Sequence, residues 1–289
     1  MSTRYANPDL HSHSVFSDGT LPPADVAALA ASHGVDLWSL TDHDDLDSQP
    51  HALRAAHEHG MDYLSGVEVS VTYEGITVHI VGLGFDVSNV SLIRGLQETR
   101  ASRQERARQI GEQFARLGIA GAYEGALQLA EHPEAIARPH FARFLVEQGV
   151  CRNVQQAFTT YLADGKPCDV PNQWATLADS VRWITDAGGM AIIAHPARYR
   201  FSESRETAFF EAFHALGGRG VEVIAGGHSA REARRYASMA RRFGLAASRG
   251  SDFHNPGEGR NEPGTLPPLP PDLDPVWSLL DDRIQRVAH

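Results

Sequence analysis

Apolar and polar positions follow two different periods along this chain, and the switches between them mark its elements. From Leu21 the run Pro-Pro-Ala-Asp-Val-Ala-Ala-Leu-Ala-Ala-Ser-His-Gly has helical periodicity, with early prolines and a glycine stop at Gly34. Residues 35–40 form a short apolar run that predicts a buried strand ending at Thr41-Asp42-His43. A second helix is predicted over residues 50–59, stopped by Gly60. Residues 61–64, 67–72 and 76–83 are strand-like, the last two joined at Tyr73-Glu74-Gly75. Residues 91–117 then carry one long helical pattern, followed by helical patterns at 139–148 and 154–162, and no strand pattern returns until after Pro171. Beyond it, helices over 177–187, 206–216 and 230–243 alternate with strands over 190–194, 220–224 and 245–248. A proline-rich stretch at 266–275 precedes a short terminal helix, and no internal repeat is visible.

Strands alternating with helices predict an α/β fold with a parallel sheet or a barrel, and the all-helical middle reads as an insertion. The boundaries this gives are 1–97 for the first part of the barrel, 98–170 for the helical insertion and 171–289 for the second part. In barrels of this kind the chemistry sits at the C-terminal ends of the strands.

Composition narrows the classes. The chain has 289 residues, 42% of them hydrophobic and 21% charged, with a net charge of −10. Such a balance suits a packed globular core and argues against a nucleic-acid coat, which needs a basic footprint. It leaves a phosphate substrate open, because bound metal ions reverse the local field. No stretch is long and apolar enough to span a membrane, and the first residues show no apolar signal region. Cys151 and Cys168 make neither a disulfide framework nor a zinc-ribbon spacing, so a reduced, cytoplasmic setting is expected. No obligate protein partner is evident. The unusual count is histidine, at 15.

Several of these histidines stand with carboxylates where strands end. In Asp9-Leu10-His11-Ser12-His13, two imidazoles at i and i+2 on an extended segment point to the same side and can grip one ion. His-x-His alone is weak, but Ser17-Asp18-Gly19 on the next loop adds a third donor. His43 lies in Thr41-Asp42-His43-Asp44-Asp45, directly after an apolar strand, and polar groups there are costly to bury without a task. Asp44, Asp45 and Asp47 read instead as capping residues of a solvated loop. Glu68, in Gly66-Val67-Glu68-Val69-Ser70, is a carboxylate able to bridge two ions; alone it would be an ordinary surface glutamate. His79, in an apolar strand, alone would be a hydrogen-bonded core residue. His195, in Ala194-His195-Pro196, and Asp252 and His254, in Gly250-Ser251-Asp252-Phe253-His254, follow further strands. These nine nitrogen and oxygen donors, without thiolate, suit manganese, zinc or iron and exceed what one four-coordinate ion needs, so two or three divalent ions are implied. His33, His51, His57, His59, His132, His214 and His289 are read as structural or surface residues, while no motif assigns His228 or Arg198.

Taken in order, these motifs make the chain similar to the PHP (polymerase and histidinol phosphatase) family, over residues 9–254. The resemblance implies a distorted (β/α)7 TIM-like barrel with an inserted helical subdomain. It implies one ion on His11, His13, Glu68 and Asp252, a second sharing Glu68 with His79 and His195, and a third on Asp18, His43 and His254. Manganese is the expected metal. The helical insertion resembles that of the YciV/TrpH-like branch, whose members include a 3′,5′-nucleoside bisphosphate phosphatase and 5′→3′ exoribonucleases. Its basic motifs would then overhang the site, with Arg103, Arg138, His140 and Lys166 as candidates for the non-reacting phosphate, since guanidinium binds phosphate oxygens bidentately. The ordinary reading of the same arginines is a solvated helix face paired with glutamates at helical spacing. The expected activity is hydrolysis of the 3′-phosphate of a nucleoside bisphosphate by metal-activated water, with no covalent enzyme intermediate, and with His195 or a metal-held water protonating the leaving oxygen. The alternatives are short-RNA exonuclease, with Phe141, Phe144, Phe158, Tyr161 and Trp174 as stacking platforms; histidinol-phosphate phosphatase; and a metal-binding regulatory domain without activity.

Overall fold

In the computed structural model, which describes residues 4–258 and 261–288, the elements run α1 (Pro23–Ser32), β1 (Leu37–Trp38), α2 (Gln49–Glu58), β2 (Asp62–Tyr63), β3 (Gly66–Tyr73), β4 (Ile76–Leu83), α3 (Val90–Arg116), α4 (Ala122–Gln128), α5 (Arg138–Glu147) and α6 (Val154–Ala157), the last running into a π-turn at Phe158–Leu162. There follow β5 (Ala175–Thr176), α7 (Leu177–Asp186), β6 (Met190–Ile193), α8 (Glu203–Ala215), β7 (Gly220–Ala225), α9 (Ala230–Phe243), β8 (Ala246–Gly250) and α10 (Val276–Leu279).

The main sheet has the order β5-β3-β4-β6-β7-β8 and is mixed, not parallel throughout: β4 runs antiparallel to both β3 and β6. The cause lies at Tyr73↔Ile76, the last pair of the β3–β4 ladder, which leaves only Glu74 and Gly75 to turn the chain. Both have positive φ, 47° and 78°, as a two-residue type I′ turn requires, and so short a link makes a hairpin where a parallel crossover needs a dozen residues or more. The six-stranded ladder is open. A separate parallel pair, β1–β2, and the segment around residues 9–13 connect to it through isolated bridges at Asp9↔Trp38, Ser12↔Phe253 and His43↔Glu68.

Side-chain alternation along these strands sorts chemistry from core. Val67, Val69 and Val71 of β3, Val78 and Ile80 of β4, Ala191 and Ile193 of β6, and Val221 and Val223 of β7 pack in one cluster with α7, α8 and α9. The intervening residues face the other way. At one end of that second face are Val81, Leu83 and Ile192, packed with Leu10, Leu37, Leu64 and Trp277. At the other end stand Glu68, Ser70, His79 and Glu222. A fully buried apolar layer thus supports a polar one.

The helical middle has a core of its own, including Ile110, Phe114, Ala126, Phe141, Leu145 and Leu162. Helix α4 has no clear sequence signal because Gly125 interrupts it; a Cβ there would lie 2.1 Å from the Phe144 ring, so the glycine serves close helix packing. Helix α3 joins the two cores, with Leu92 and Leu96 in the first and Ile110 and Phe114 in the second. Its arginines divide accordingly. Arg94, Arg108 and Arg116 pair with glutamates on their own exposed face, whereas Arg100 and Arg103 reach Asp45 and Asp44. The solvated-loop reading of those two aspartates is therefore corrected: both are buried, and they tie α3 to the loop after β1, while Asp47 is exposed. Among the described residues no helix is long and apolar enough to cross a membrane.

Candidate metal centre and substrate cavity

Glu68 is the hub of the polar layer. Its Oε2 lies 3.2 Å from His11 Nε2, 3.2 Å from His13 Nε2 and 3.1 Å from His43 Nδ1. Its Oε1 lies 3.0 Å from His79 Nδ1 and 2.7 Å from His195 Nε2. Each carboxylate oxygen thus faces its own set of imidazoles, the arrangement a bridging ligand needs. Asp252 Oδ1 closes the first set at 3.4 Å from His11 and 3.3 Å from His13. Asp18 stands apart, 3.3 Å from His254 Nε2 and 3.7 Å from His43 Nε2. Three groups of donors fall close enough to share an ion: His11, His13, Glu68 and Asp252; His43, Glu68 and His79; and His13, Asp18, His43 and His254. His195 belongs to none of the three as they stand, but it touches Glu68 and lies 3.4 Å from His79 Nδ1.

Buried polar atoms normally have hydrogen-bond partners. Here Asp18 Oδ1, His43 Nδ1, Glu68 Oε2, His195 Nδ1 and Asp252 Oδ1 have none, while Asp252 Oδ2 meets the Arg198 guanidinium. Bare lone pairs concentrated at one spot, from nitrogen and oxygen donors only, fit divalent cations.

The protonation pattern agrees. Burial alone would raise the carboxyls of Asp18, Glu68 and Asp252; facing imidazoles, and for Asp252 first the Arg198 guanidinium, outweigh it and hold all three well below the carboxylate range. Burial opposes charge on His11 and His13 too, but Glu222, Glu68 and Asp252 hold His11 well above its ordinary value, and Asp252 and Glu68 raise His13 to about 10. Burial and then Arg198 push His195 down to about 4, so it is a neutral lone-pair donor at physiological pH. Without metal, then, the His11–His13 pair, whose Nε2 atoms face each other at 3.1 Å, holds a proton that an ion must displace. Metal uptake at pH 7 is expected to release a proton, and apparent affinity should climb as pH rises above 7. Calorimetric titration with Mn²⁺ in buffers of different ionisation enthalpy reads this directly; buffer-independent heats would contradict it.

Buried supports hold the donors in place. Glu222 Oε1 is 2.7 Å from His11 Nδ1, and its Oε2 accepts from the His195 backbone N–H at 2.6 Å. Tyr199 Oη accepts from the His79 backbone N–H at 2.9 Å and donates to the Ala194 carbonyl at 2.8 Å. Asp42 accepts from the Ser14 N–H and from the Ser14 and Ser17 hydroxyls, folding the loop that carries Asp18. His195 and Asp252 have φ of 24° and 53°, costly for residues with a Cβ and sustained only by such over-determination. Glu222→Gln is expected to weaken Mn²⁺ binding roughly 10- to 100-fold, the usual effect of losing a carboxylate behind a ligating imidazole. Metal analysis after dialysis against graded free Mn²⁺ measures it, and unchanged occupancy would remove Glu222 from this role.

A cavity of about 170 Å³ opens over this layer. Asp18, His43, His79 and His254 line one side; Arg103, Arg106, Arg138, Phe158 and Trp174 line another. The Arg103 and Arg106 guanidiniums lie 4.9 and 5.3 Å from the Trp174 ring, and Arg138 lies 6.0 Å from Phe158. Arg103 also binds Ser70 Oγ at 2.9 Å, and Arg138 binds Asp164 at 3.3 Å. Arg106 donates to the Val170 carbonyl and, among the described residues, pairs with no carboxylate; burial, then Arg138 and Arg103, depress it to about 9.

Of the four residues anticipated around the second phosphate, Arg103 and Arg138 line the cavity. His140 is buried at the start of α5, where its Nδ1 accepts from the Ala137 N–H, and burial holds it neutral at about 4. Lys166 is exposed on the loop after the π-turn. Neither lines the cavity. Of the five aromatics weighed as stacking platforms, Phe141, Phe144 and Tyr161 belong to or pack on the core of the helical middle, and only Phe158 and Trp174 line the cavity. Arg198 also lines it and reaches Asp252. His289 lies outside the described residues. Arg106 was detectable in the sequence one turn beyond Arg103 on the same helix face. Glu222 was detectable as well, since Gly220-Val221-Glu222-Val223 repeats the pattern of Gly66-Val67-Glu68-Val69.

Residues 9–142 match the PHP domain family. A 3′,5′-nucleoside bisphosphate phosphatase from Chromobacterium violaceum is 47% identical over 98% of this chain and 99% of its own length. A 5′-3′ exoribonuclease from Haemophilus influenzae is 39% identical over 93% of this chain and 97% of its own. The solved structure of an amidohydrolase from Chromobacterium violaceum, with bound sulfate and no metal, superposes with a TM-score of 0.95 at 46% identity, covering 98% of this chain and 99% of that one. On this match of sequence, fold and donor set, the chain belongs to the PHP domain family and is a metal-dependent phosphoesterase.

Proposed function

We propose that this enzyme removes the 3′-phosphate from 3′,5′-nucleoside bisphosphates and leaves the nucleoside 5′-monophosphate. One observation carries the reading: four of the donors, Asp18, His43, His79 and His254, line one small cavity together with Arg103, Arg106, Arg138 and Arg198. Two phosphates of one small molecule can be met there at once, the reacting one over Glu68 and its imidazoles and the other among Arg103, Arg106 and Arg138. The crowding of those three guanidiniums, relieved by carboxylates only at Arg103 and Arg138, favours a bound dianion. The 47% identical phosphatase supports the same substrate class.

The nine anticipated residues would hold two or three divalent ions, manganese being the expected one and zinc or iron equally compatible with the nitrogen and oxygen donors. Bound ions supply the Lewis acidity that makes water nucleophilic at neutral pH and offset charge on the phosphoryl oxygens. The chain's own part is orientation. Glu68 spaces the imidazoles, Arg198 offers donors beside Asp252, and the arginines fix the non-reacting end so that attack on phosphorus is in line. His195, neutral and turned to Glu68, acts as a ligand in this scheme and not as the proton donor. The bridges at Asp9↔Trp38, Ser12↔Phe253 and His43↔Glu68 support a distorted barrel around the polar layer, with residues 98–170 as its cap.

Two phosphate positions allow a positional test. With 3′-phosphoadenosine 5′-phosphate in ¹⁸O-water, the products should be 5′-AMP and inorganic phosphate carrying the label. Formation of 3′-AMP, or label in the nucleotide, would overturn the assignment.

A further inference from the structure

Helix α5 packs its apolar residues Phe141, Ala142, Phe144 and Leu145 into the core of the helical middle, not onto the sheet. Arg143, on the same helix, points elsewhere. Its Nη1 donates to the backbone carbonyl of Asp18 at 2.8 Å. Its Nε and Nη2 bind the two oxygens of Glu258 at 3.0 and 2.9 Å. The Arg143 side chain is 12% exposed, and its partner lies at the surface, Glu258 being an exposed residue. Charge-assisted and bidentate, the pair has the directional geometry that fixes one loop against another.

What it joins matters more than its strength. Asp18 and His254 come from loops far apart in sequence, and both are donors of the group that also takes His43. The two loops touch each other through Thr20, whose N–H donates to the His254 carbonyl at 2.9 Å and whose hydroxyl donates to Asn255 at 2.5 Å. The first loop is tied to Asp42 at its other end. Arg143 grips the remaining free side, holding Asp18 by its own carbonyl and the His254 loop through Glu258.

We propose that Arg143 is a positioning residue through which the helical cap builds the His13–Asp18–His43–His254 cation site, so that this site reaches full affinity only with the cap docked. The inference rests on the reading of these residues as metal ligands. It makes the outermost ion conditional through Asp18 and His254, the two donors that this group does not share with the Glu68-centred ones.

The test measures ion binding, not turnover alone. Wild type, Arg143→Met, Arg143→Lys and Glu258→Gln are titrated with Mn²⁺, and hydrogen exchange is followed over residues 14–20 and 251–258. Arg143→Met is expected to weaken the loosest Mn²⁺ roughly 10-fold or more, the scale of a lost outer support, and to speed exchange in both loops. The tighter ions and the melting temperature of the metal-free protein should stay close to wild type. Glu258→Gln should reproduce part of the loss and Arg143→Lys should recover part of it. Equal Mn²⁺ affinity at every site in wild type and Arg143→Met would overturn the inference. So would uniform weakening of all ions with a lowered melting temperature, which marks a purely structural contact. A wild type that binds no Mn²⁺ would instead overturn the ligand reading beneath it.

Discussion

Replacing Glu68 with glutamine is expected to lower kcat by about 10³-fold while the protein stays folded. Glutamine keeps the size of the side chain and removes its charge. Glu68 is fully buried and meets five imidazoles through two oxygens, so no other donor can take its place between the ion positions. Losing it removes several kcal/mol of electrostatic stabilisation from the reacting phosphoryl group, and about 1.4 kcal/mol corresponds to each tenfold in rate. Metal analysis should show fewer bound ions in parallel. Circular dichroism and melting control for folding. A variant within tenfold of wild type, with full metal content, would show that Glu68 does not bridge.

The second large effect concerns specificity. Arg106→Met combined with Arg138→Met should cut kcat/KM for a 3′,5′-bisphosphate by roughly 10³-fold, since each charge-assisted bond to phosphate contributes about 1.5–3 kcal/mol. The two sites share one ligand, so the losses need not add. With a nucleoside 3′-monophosphate, which has nothing for those arginines to hold, the same variant should stay within a few-fold of wild type. Arg103 is a poorer choice for this test. Removing it strands the buried Asp44 carboxylate, and the expected result is a destabilised fold, by about 3–5 kcal/mol. Equal losses on both substrates would mean that the arginines act on the reacting phosphate or on the cap itself.

Much of this site is visible in the sequence because most donors interrupt or follow apolar strand patterns that cannot otherwise use them. His11 and His13 follow a two-residue period, and Glu68 and His79 interrupt β3 and β4 on the face turned away from α7, α8 and α9. Strand direction is harder. Alternation of helix and strand reads as parallel everywhere, and only the Glu74-Gly75 turn betrays the hairpin that sets β4 against its neighbours. The cap is harder still. Arg103, Arg106, Arg138 and Arg143 share one residue type and one helical setting, yet their partners are an aspartate, a carbonyl, an exposed loop and a metal-site loop. Those differences arise from how α3 and α5 are placed in three dimensions, α3 between the two cores and α5 within the helical one, which local periodicity does not encode. His140 shows the converse: a histidine in a basic motif whose nitrogen serves the backbone of its own helix.

The central claim is that one cavity handles both phosphates of a small nucleotide. It is tested most directly by product release from the Mn²⁺-loaded protein, comparing 3′-phosphoadenosine 5′-phosphate, histidinol phosphate and a short 5′-phosphorylated RNA at equal concentration. The account predicts that the bisphosphate is turned over fastest and yields 5′-AMP. RNA shortened from its 5′ end much faster than the bisphosphate is consumed would contradict it and make the arginine wall a guide for a polynucleotide.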